Sequence, residues 1–465
     1  MTEVQISSIG KTTPSGKNVL DPLAISDVLI KKYKCISFNK TVYIYENGLY
    51  KENKGEIERD IKEFFRLVDH NGAKSELNRD VLQHIIDEDP QRDWPFNIYP
   101  DIIPVKNGVL HICYETGEVK LKPHSHEYRF TYQLDVEYNA DANKQDAIDL
   151  LYQWVDDAGV NILLQIPAQG LLQIQGKQPY KKSYLLSGET NGGKSTYLSL
   201  CSKIVGEENI SNVSLQQIGT DRFCYSQMEG KIINLFDDLS DIPMENVGYF
   251  KNLTGRFDHS VEQKYKSSYK AKISCVHVFT CNKAPGVDNK VQNDSAFWDR
   301  WEYVEFVNYF EKDTTFEERV FTPAMMSSFL NAIVDIMCQI KRNNRLTSNT
   351  DPDDVKDMWN NSSDVVYKFI MSQMYPSKER ESFDKGHLLR MINKYAEEEL
   401  KMTNIHRIPQ TVTALTQKIF GLGFEKGRGK DNQQVYLGRY RWNQDSPYRQ
   451  VITQDGKISA FSETQ

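Results

Sequence analysis

The chain is 465 residues long, 39% hydrophobic and 26% charged, with a formal net charge of -7, which predicts a soluble protein of about three domains. No apolar run approaches the roughly 18 residues that cross a membrane, and the chain does not start with a basic and apolar leader, so we expect a cytoplasmic protein without membrane spans. The seven scattered cysteines form no Cys-x-x-Cys pair, which argues against a disulfide framework or a zinc site.

The two ends of the chain differ in composition from its middle. Residues 1–20 and 443–465 are polar and lack apolar periodicity, so we predict two flexible tails. Residues 21–143 contain two β-hairpin patterns, near residues 41–48 and 107–121, with apolar residues at helical spacing between them. We predict that this stretch forms a small α+β module of its own.

A glycine-rich segment follows an apolar run at residues 184–186 and precedes a helical pattern. This order of strand, loop and helix predicts a nucleotide-binding P-loop, in which backbone amides surround phosphate groups. We expect Lys194 to bind the terminal phosphates of ATP and the Ser195 hydroxyl to hold Mg2+. The predicted nucleotide-binding residues are Gly188, Glu189, Thr190, Asn191, Gly192, Gly193, Lys194, Ser195 and Thr196. The central P-loop domain, with its helical lead-in, is predicted to span residues 144–345.

Two further apolar strand patterns end in polar residues. Asp237 and Asp238 follow the pattern at 231–236, and Asn282 follows the pattern at 276–280. Beside a P-loop, we expect Asp237 to bind Mg2+, Asp238 to polarise the attacking water, and Asn282 to sense the γ-phosphate. In isolation, the same residues would be read as helix caps, turns or strand ends.

Arg300 is a further catalytic candidate. Phosphoryl transfer gains from a guanidinium placed against the developing charge, and in a ring this residue would act on the nucleotide of the neighbouring subunit. The alternative is a local ion pair between Arg300 and Asp299 or Glu302.

The stretch from residue 251 to 272 is basic although the chain as a whole is acidic, with six cationic against two acidic side chains. Its two strand patterns, around residues 267–269, predict a hairpin whose lysines meet the phosphates of single-stranded DNA. The candidate DNA-binding residues are Lys264, Lys266, Lys270 and Lys272. A solvated charged hairpin is the alternative.

A polar stretch with chain-breaking residues at 342–352 predicts an interdomain linker. Residues 353–442 follow it, with three helical patterns and a glycine-tipped hairpin, which predicts a winged-helix domain. Its hairpin is rich in cations, and we expect Arg428 and Lys430 to bind duplex DNA there. The fold class expected for the whole chain is therefore multidomain α/β.

The central motifs, in their order and spacing between Gly188 and Arg300, resemble those of the superfamily 3 helicases, a compact AAA+ group. Residues 107–138 resemble the N-terminal module of poxvirus- and phage-type primase-helicases, so the resemblance extends from about residue 30 to 440. It implies a ring, usually a hexamer, that hydrolyses ATP between subunits and moves on single-stranded DNA, typically 3′ to 5′. The short architecture is similar to that of self-loading initiator-helicases of mobile genetic elements. No polymerase triad is evident, so any primase would be a separate partner.

Three functions remain open from the sequence. The leading hypothesis is an ATP-dependent replicative DNA helicase that also recognises the origin of a phage, plasmid or genomic island. The alternative is a P-loop ATPase switch that assembles a replication complex without unwinding DNA. A P-loop kinase of small molecules would not explain Asn282, Arg300 and the lysine-rich hairpin together.

Overall fold

The computed structural model describes residues 9–12, 18–67, 74–176, 180–221, 223–240, 247–262, 268–287, 289–399, 418–429, 433–452 and 458–460. Over these residues the chain is a mixed α/β protein of several units with separate buried apolar clusters. Lys264, Lys266 and Lys430, three of the predicted DNA-binding residues, lie outside the described residues.

The amino-terminal unit combines a four-stranded sheet, in the order β5-β4-β3-β6, with helices. Its elements are β1 (Gly10–Thr12), β2 (Asn18–Leu20), α1 (Pro22–Tyr33), β3 (Ile36–Phe38), β4 (Thr41–Glu46), β5 (Leu49–Glu52), α2 (Glu56–Leu67), α3 (Lys74–Glu88) and β6 (Pro90–Gln91). The predicted hairpin is β4–β5, and its turn residues Asn47 and Gly48 have φ angles of 51° and 90°. Positive φ at both central residues is what a tight hairpin turn requires.

A second, three-stranded antiparallel sheet follows, formed by β7 (Ile102–Val105), β8 (Gly108–Cys113) and β9 (Glu118–Lys122). Its core residues Ile103 and Leu110 belong to the same buried cluster as Leu151 and Leu163 of the next helices, α4 (Lys144–Tyr152) and α5 (Asp157–Gly176). The predicted boundary between residues 143 and 144 therefore falls inside one continuous core.

The central unit is built on a five-stranded parallel sheet in the order β11-β12-β15-β10-β16. Its strands are β10 (Ser183–Gly188), β11 (Ile210–Ser211), β12 (Ile233–Phe236), β15 (Val276–Cys281) and β16 (Trp301–Phe306). Ser187 pairs with Cys281, and Gly188 pairs with Phe306, so β10, β15 and β16 end level with one another. We call this end of the sheet the carboxyl edge; the loops that follow all five strands leave from it.

Helices and one small hairpin connect the strands of the central sheet. They are α6 (Lys194–Val205), α7 (Leu215–Thr220), α8 (Cys224–Met228), α9 (Gly248–Leu253), β13 (His259–Val261), β14 (Tyr269–Ala271), α10 (Asn289–Gln292) and α11 (Ser295–Trp298). A further short helix, α12 (Phe316–Val320), follows the last strand, β16. Strands β10 and β15 are buried along almost their whole length, as expected for a parallel sheet covered on both faces.

The long helix α13 (Pro323–Asn343) is apolar enough, by length and composition, to cross a membrane. In the structure 67% of its most apolar window is buried, and Phe329, Ile333 and Met337 lie in the same core as α4 and α5. We therefore interpret α13 as a core helix of the central unit.

The carboxy-terminal unit follows helix α14 (Pro352–Ser363), which packs on the central unit through Val355 and Trp359. Its elements are α15 (Val365–Gln373), β17 (Met374–Asp384), α16 (Lys385–Glu398), β18 (Glu425–Arg428), β19 (Gln434–Trp442), β20 (Gln450–Ile452) and β21 (Ile458–Ala460). The predicted glycine-tipped hairpin is β18–β19, and β17 adds a third strand that the sequence analysis did not predict.

Both predicted tails are partly folded, and the predicted linker is docked. Ile9 is fully buried and Tyr448 is 2% exposed, each within a hydrophobic core. In the linker, Thr350 donates hydrogen bonds to Glu302 through its amide (3.0 Å) and its hydroxyl (2.6 Å), and Ser348 N donates to Gln165 Oε1 (2.7 Å). Polar composition is therefore a poor guide here, because a few buried contacts are enough to hold each segment.

Candidate nucleotide and nucleic-acid sites

The glycine-rich loop lies at the carboxyl edge, between the end of β10 and the start of α6. Gly193 has a φ of 97°, and a Cβ atom there would lie 2.7 Å from Cδ1 of Trp154. At Gly188 a Cβ atom would lie 2.4 Å from the carbonyl oxygen of Phe306. Both positions therefore require glycine, because a side chain would collide with packed atoms. Glu189, Thr190 and Asn191 are exposed between them.

Lys194 is 7% exposed, and its ammonium group connects the loop to the strand beside it. It donates hydrogen bonds to the carbonyl oxygens of Gly188 (2.7 Å) and Glu189 (2.9 Å) and to Oδ1 of Asn282 (3.1 Å). Burial lowers the pKa of Lys194, and the nearby Cys281, Asp237, Glu189 and Asp238 oppose that shift. The cation is thus held at the point where the predicted P-loop, acidic pair and Asn282 converge.

Asp237 and Asp238 are exposed at the end of β12. Thr280 of the neighbouring strand β15 holds both residues by hydrogen bonds. The Thr280 hydroxyl donates to Oδ1 of Asp237 and accepts a hydrogen bond of 2.8 Å from the backbone amide of Asp238. Asp238 has a φ of 58°, which turns the chain away immediately after the strand. Thr280 was not among the residues expected from the sequence, although its place at the end of the third strand pattern was a usable signal.

The oxygen donors at this edge fit Mg2+. Ser195 is exposed in the first turn of α6, Thr196 follows it half-buried, and Asp237 is exposed across the loop. Mg2+ is a hard cation that takes one or two protein oxygens and completes its shell with phosphate and water. Among the described residues no group of three or more His, Cys, Asp or Glu could hold a metal, so a site here would depend on the nucleotide.

Arg300 lies just before β16, at the end of the strands opposite to the glycine-rich loop. The next residue, Trp301, pairs with Ser183 at the start of β10, and the length of that strand separates Arg300 from the loop by about 16 Å. Its guanidinium donates to Oγ1 of Thr254 (2.9 Å), to the carbonyl of Lys251 (3.4 Å) and to that of Ala296. Burial lowers its pKa.

The two local partners considered for Arg300 have different positions. Glu302 is fully buried and forms an ion pair of 3.3 Å with Lys182, not with Arg300. The charge of Asp299 opposes the lowering of the Arg300 pKa, but within the described part of the chain the two side chains share no hydrogen bond. The guanidinium is therefore held locally, by one hydroxyl and two backbone carbonyls.

The basic hairpin is described on both sides of residues 263–267, which lie outside the described residues. Strand β13 pairs with β14 from His259↔Ala271 to Val261↔Tyr269. Lys270 is exposed on β14, and Lys272 is half-buried just after it. The Tyr269 hydroxyl donates to the Glu229 carboxylate, which anchors the start of β14 to the region after α8.

The second basic cluster lies on the hairpin β18–β19. Arg428 is exposed at the end of β18. Arg441, on β19, forms ion pairs with Glu379 (2.7 Å) and Glu381 of β17. Part of the positive charge of this hairpin is therefore neutralised by carboxylates of β17, a strand that was not predicted from the sequence.

Comparisons with known proteins were consistent with the amino-terminal resemblance. Residues 38–159 match the family described as D5 N terminal like, and residues 186–300, which contain the candidate site, match a family of unknown function (DUF5906). No curated protein is significantly similar in sequence to the chain.

A comparison of backbone structures found solved structures with a distant similarity to this chain. Two of them are structures of the NrS-1 C-terminal region. The A-form apo structure of this region is 13% identical, covers 90% of this chain and 98% of its own, and gives a TM-score of 0.46. The A-form apo structure of its residues 305–718 is 14% identical, with coverages of 90% and 100% and a TM-score of 0.46.

Proposed function

We propose that this chain is an ATP-dependent DNA helicase of the superfamily 3 type, with an AAA+ core and a carboxy-terminal winged-helix domain. We propose that it acts in DNA replication, as phage-type primase-helicases do. The match of residues 38–159 to the D5 N terminal like family supports this role. The observation that carries the proposal is the hydrogen bond between Lys194 and Asn282 beside the Asp237–Asp238 pair. This arrangement joins a phosphate-binding cation, a polar amide and two carboxylates at the end of adjacent strands.

Each residue at this edge has a chemical task in ATP hydrolysis. The backbone amides of residues 188–195 bind phosphate oxygens, and Lys194 moves its donors from the loop carbonyls to the terminal phosphates. Asp238 accepts a hydrogen bond from the attacking water, and Asn282 orients that water against the γ-phosphate. Ser195 and Asp237 would hold Mg2+, which would supply neutralisation of the phosphate charge.

The position of Arg300 supports hydrolysis between subunits of a ring. An extended arginine side chain cannot cover the roughly 16 Å that separate it from the loop of its own chain, so any action on ATP must be on the nucleotide of a neighbour. We propose a homo-oligomer, most simply a hexamer, in which Arg300 leaves its local acceptors for the neighbouring γ-phosphate.

The two basic hairpins supply the DNA contacts. Lys270 and Lys272, with Lys264 and Lys266, are proposed to follow the phosphates of single-stranded DNA. Arg428 and Lys430 are proposed to bind the origin duplex, so that the chain acts as replication initiator of a mobile element. A separate primase would supply primers.

The test is ATP hydrolysis and fork unwinding by Lys194→Ala, with Lys203→Ala on the same helix as the control. Lys203 is about half exposed and pairs with Glu317 at 3.8 Å, away from the loop. We expect Lys194→Ala to lose single-strand-stimulated hydrolysis and unwinding, and Lys203→Ala to keep both. Unwinding that survives in Lys194→Ala refutes the assigned site. ATP binding by the wild-type protein without unwinding of 3′- or 5′-tailed forks would instead favour an assembly switch.

A further inference from the structure

Two exposed apolar side chains lie beside the glycine-rich loop, on the segment that follows β16. Val307 is 68% exposed and Tyr309 is 70% exposed. The backbone amide of Phe310 donates a hydrogen bond of 3.0 Å to the carbonyl of Asn191, inside the loop. The segment is therefore fastened to the loop while its two apolar side chains face solvent.

The neighbours of these two residues explain why they point outward. Phe306 is buried, and a Cβ atom on Gly188 would lie 3.0 Å from its Cβ atom. Phe310 packs against the central core, and the Asn308 amide donates to the carbonyl of Gln153 at 2.8 Å. These inward contacts hold the backbone and leave the side chains of Val307 and Tyr309 exposed beside the loop, where a bound ligand can cover them.

The order of the strands gives the direction of a bound nucleotide. Strand β10, which leads into the loop, lies between β15 and β16. Asn282 and the acidic pair are on the side of β15 and β12, so the terminal phosphate lies on that side. The ribose and base then extend to the side of β16, where Val307 and Tyr309 lie.

The course of the chain after Tyr309 agrees with this direction. It reaches α12, where the Glu317 carboxylate accepts a hydrogen bond of 2.6 Å from the hydroxyl of Ser199 on α6. The segment thus runs beside the first turns of α6, the helix whose start carries Ser195 and Thr196. A nucleotide that continues past Thr196 meets this segment.

We propose that Val307 and Tyr309 form the platform for the base of the bound nucleoside triphosphate, with Tyr309 stacking on the ring and Val307 covering its edge. The inference rests on the proposed function, since it takes the glycine-rich loop as the phosphate site. Stacking on an aromatic ring tolerates different bases, and a larger ring system covers more apolar surface. Purine nucleotides therefore bind more tightly than pyrimidine nucleotides.

The experiment compares the binding of ATP with that of inorganic tripolyphosphate, which has the phosphates but no base. Calorimetry with the full chain is run on Tyr309→Ala, Tyr309→Phe, Lys194→Ala and, as an exposed-tyrosine control in the carboxy-terminal unit, Tyr375→Ala. We expect Tyr309→Ala to weaken ATP binding roughly 5- to 150-fold and to leave tripolyphosphate binding unchanged. Tyr309→Phe and Tyr375→Ala keep the wild-type affinity for both, and Lys194→Ala loses both.

The outcomes separate this inference from the function on which it rests. Wild-type ATP affinity in Tyr309→Ala, with both ligands lost in Lys194→Ala, overturns the platform and leaves the proposed function standing. Equal weakening of ATP and tripolyphosphate in Tyr309→Ala also overturns it, because the segment would then only support the loop. A change in oligomeric mass with unaltered ATP affinity assigns the pair to a subunit contact instead. Wild-type ATP affinity in Lys194→Ala overturns both proposals.

Discussion

The hydroxyl oxygen of Ser362, near the end of α14, accepts a hydrogen bond of 3.0 Å from the backbone amide of Ala284, two residues after Asn282. The same oxygen lies 3.4 Å from the hydroxyl of Ser187, which precedes the glycine-rich loop. One turn earlier, Trp359 Nε1 donates to the carbonyl of Pro285 at 2.7 Å. The helix that leads into the carboxy-terminal unit is therefore fastened to the segments on both sides of Lys194.

Replacing Ser362 with alanine should slow ATP hydrolysis without weakening ATP binding. The change removes the acceptor of the Ala284 amide, a bond worth about 1 kcal/mol, and frees the loop that positions Asn282. We expect kcat to fall about fivefold and KM for ATP to stay within about twofold. Steady-state hydrolysis measures the split, with Ser363→Ala as the neighbouring control. An unchanged kcat would show that α14 does not position the site.

Removing the carboxylate of Glu302 should destabilise the central unit and release the linker. Lys182 is only 5% exposed, and Glu302→Ala leaves its ammonium group without the buried carboxylate that pairs with it. The same change removes the acceptor of the Thr350 hydroxyl. Breaking such a pair costs about 3–5 kcal/mol, whereas replacing both partners with apolar residues costs much less. Denaturant unfolding should therefore show a larger loss for Glu302→Ala than for Lys182→Met combined with Glu302→Leu. Equal losses would contradict a role of the ion pair.

The stability of the central unit should fall in mild acid because of His277. Burial, with a smaller contribution from His259, lowers the pKa of His277 to about 4 from its ordinary value of 6.5. The unfolded chain therefore binds a proton that the folded protein excludes, so this contribution is fully present above pH 6.5 and declines as the pH falls toward 4. The loss amounts to about 3 kcal/mol.

Thermal unfolding between pH 7.5 and 4.5 checks the prediction for His277. His277→Gln should show a shallower decline in Tm over this range than the wild type. His84→Gln changes an exposed histidine of the amino-terminal unit and should follow the wild-type curve. Parallel curves for all three proteins would exclude His277 as the source of the pH dependence.

Arg300→Ala should bind ATP normally, fail to hydrolyse it, and inactivate mixed rings. Loss of the guanidinium removes the charge proposed to act on the neighbour's ATP. Because Arg300 also donates to Thr254 at 2.9 Å, Thr254→Val serves as a control that removes the acceptor and keeps the charge. ATP hydrolysis is measured while each variant is titrated into wild-type protein, which separates a catalytic role of Arg300 from a structural one. If Thr254→Val inhibits mixed rings as strongly as Arg300→Ala, the role of Arg300 is structural.

Replacing Arg428 and Lys430 with alanine should weaken the binding of duplex DNA and flatten its salt dependence. Each lost phosphate contact reduces the slope of log K against log salt by about 0.9, so the double variant should lose about 1.8. The double variant Lys31→Ala, Lys62→Ala removes the same charge from the amino-terminal unit and should keep the wild-type slope. Fluorescence anisotropy at several salt concentrations measures it. An unchanged slope for the first variant would mean that the hairpin contacts no phosphate.

Local patterns in the sequence anticipated much of the candidate site. Gly188–Ser195, Asp237 and Asn282 each follow an apolar strand pattern, and in a parallel sheet the residues after such strands meet at one edge. In the structure these residues lie at the carboxyl edge of the central sheet, and Lys194 donates a hydrogen bond to Asn282. The two hairpins of the amino-terminal region were also predictable, because alternating apolar residues and turn residues are contiguous in the chain.

Short-range motifs could be located from the amino-acid sequence, since a loop, a turn or a strand end depends on residues that are neighbours in the chain. Long-range packing had to be seen in three dimensions: the core runs across residues 143 and 144, Glu302 binds the linker, and Ser362 and Tyr309 lie beside the glycine-rich loop. These relationships join residues that are tens to more than a hundred positions apart. They depend on which surfaces become buried together, and no local periodicity records that choice.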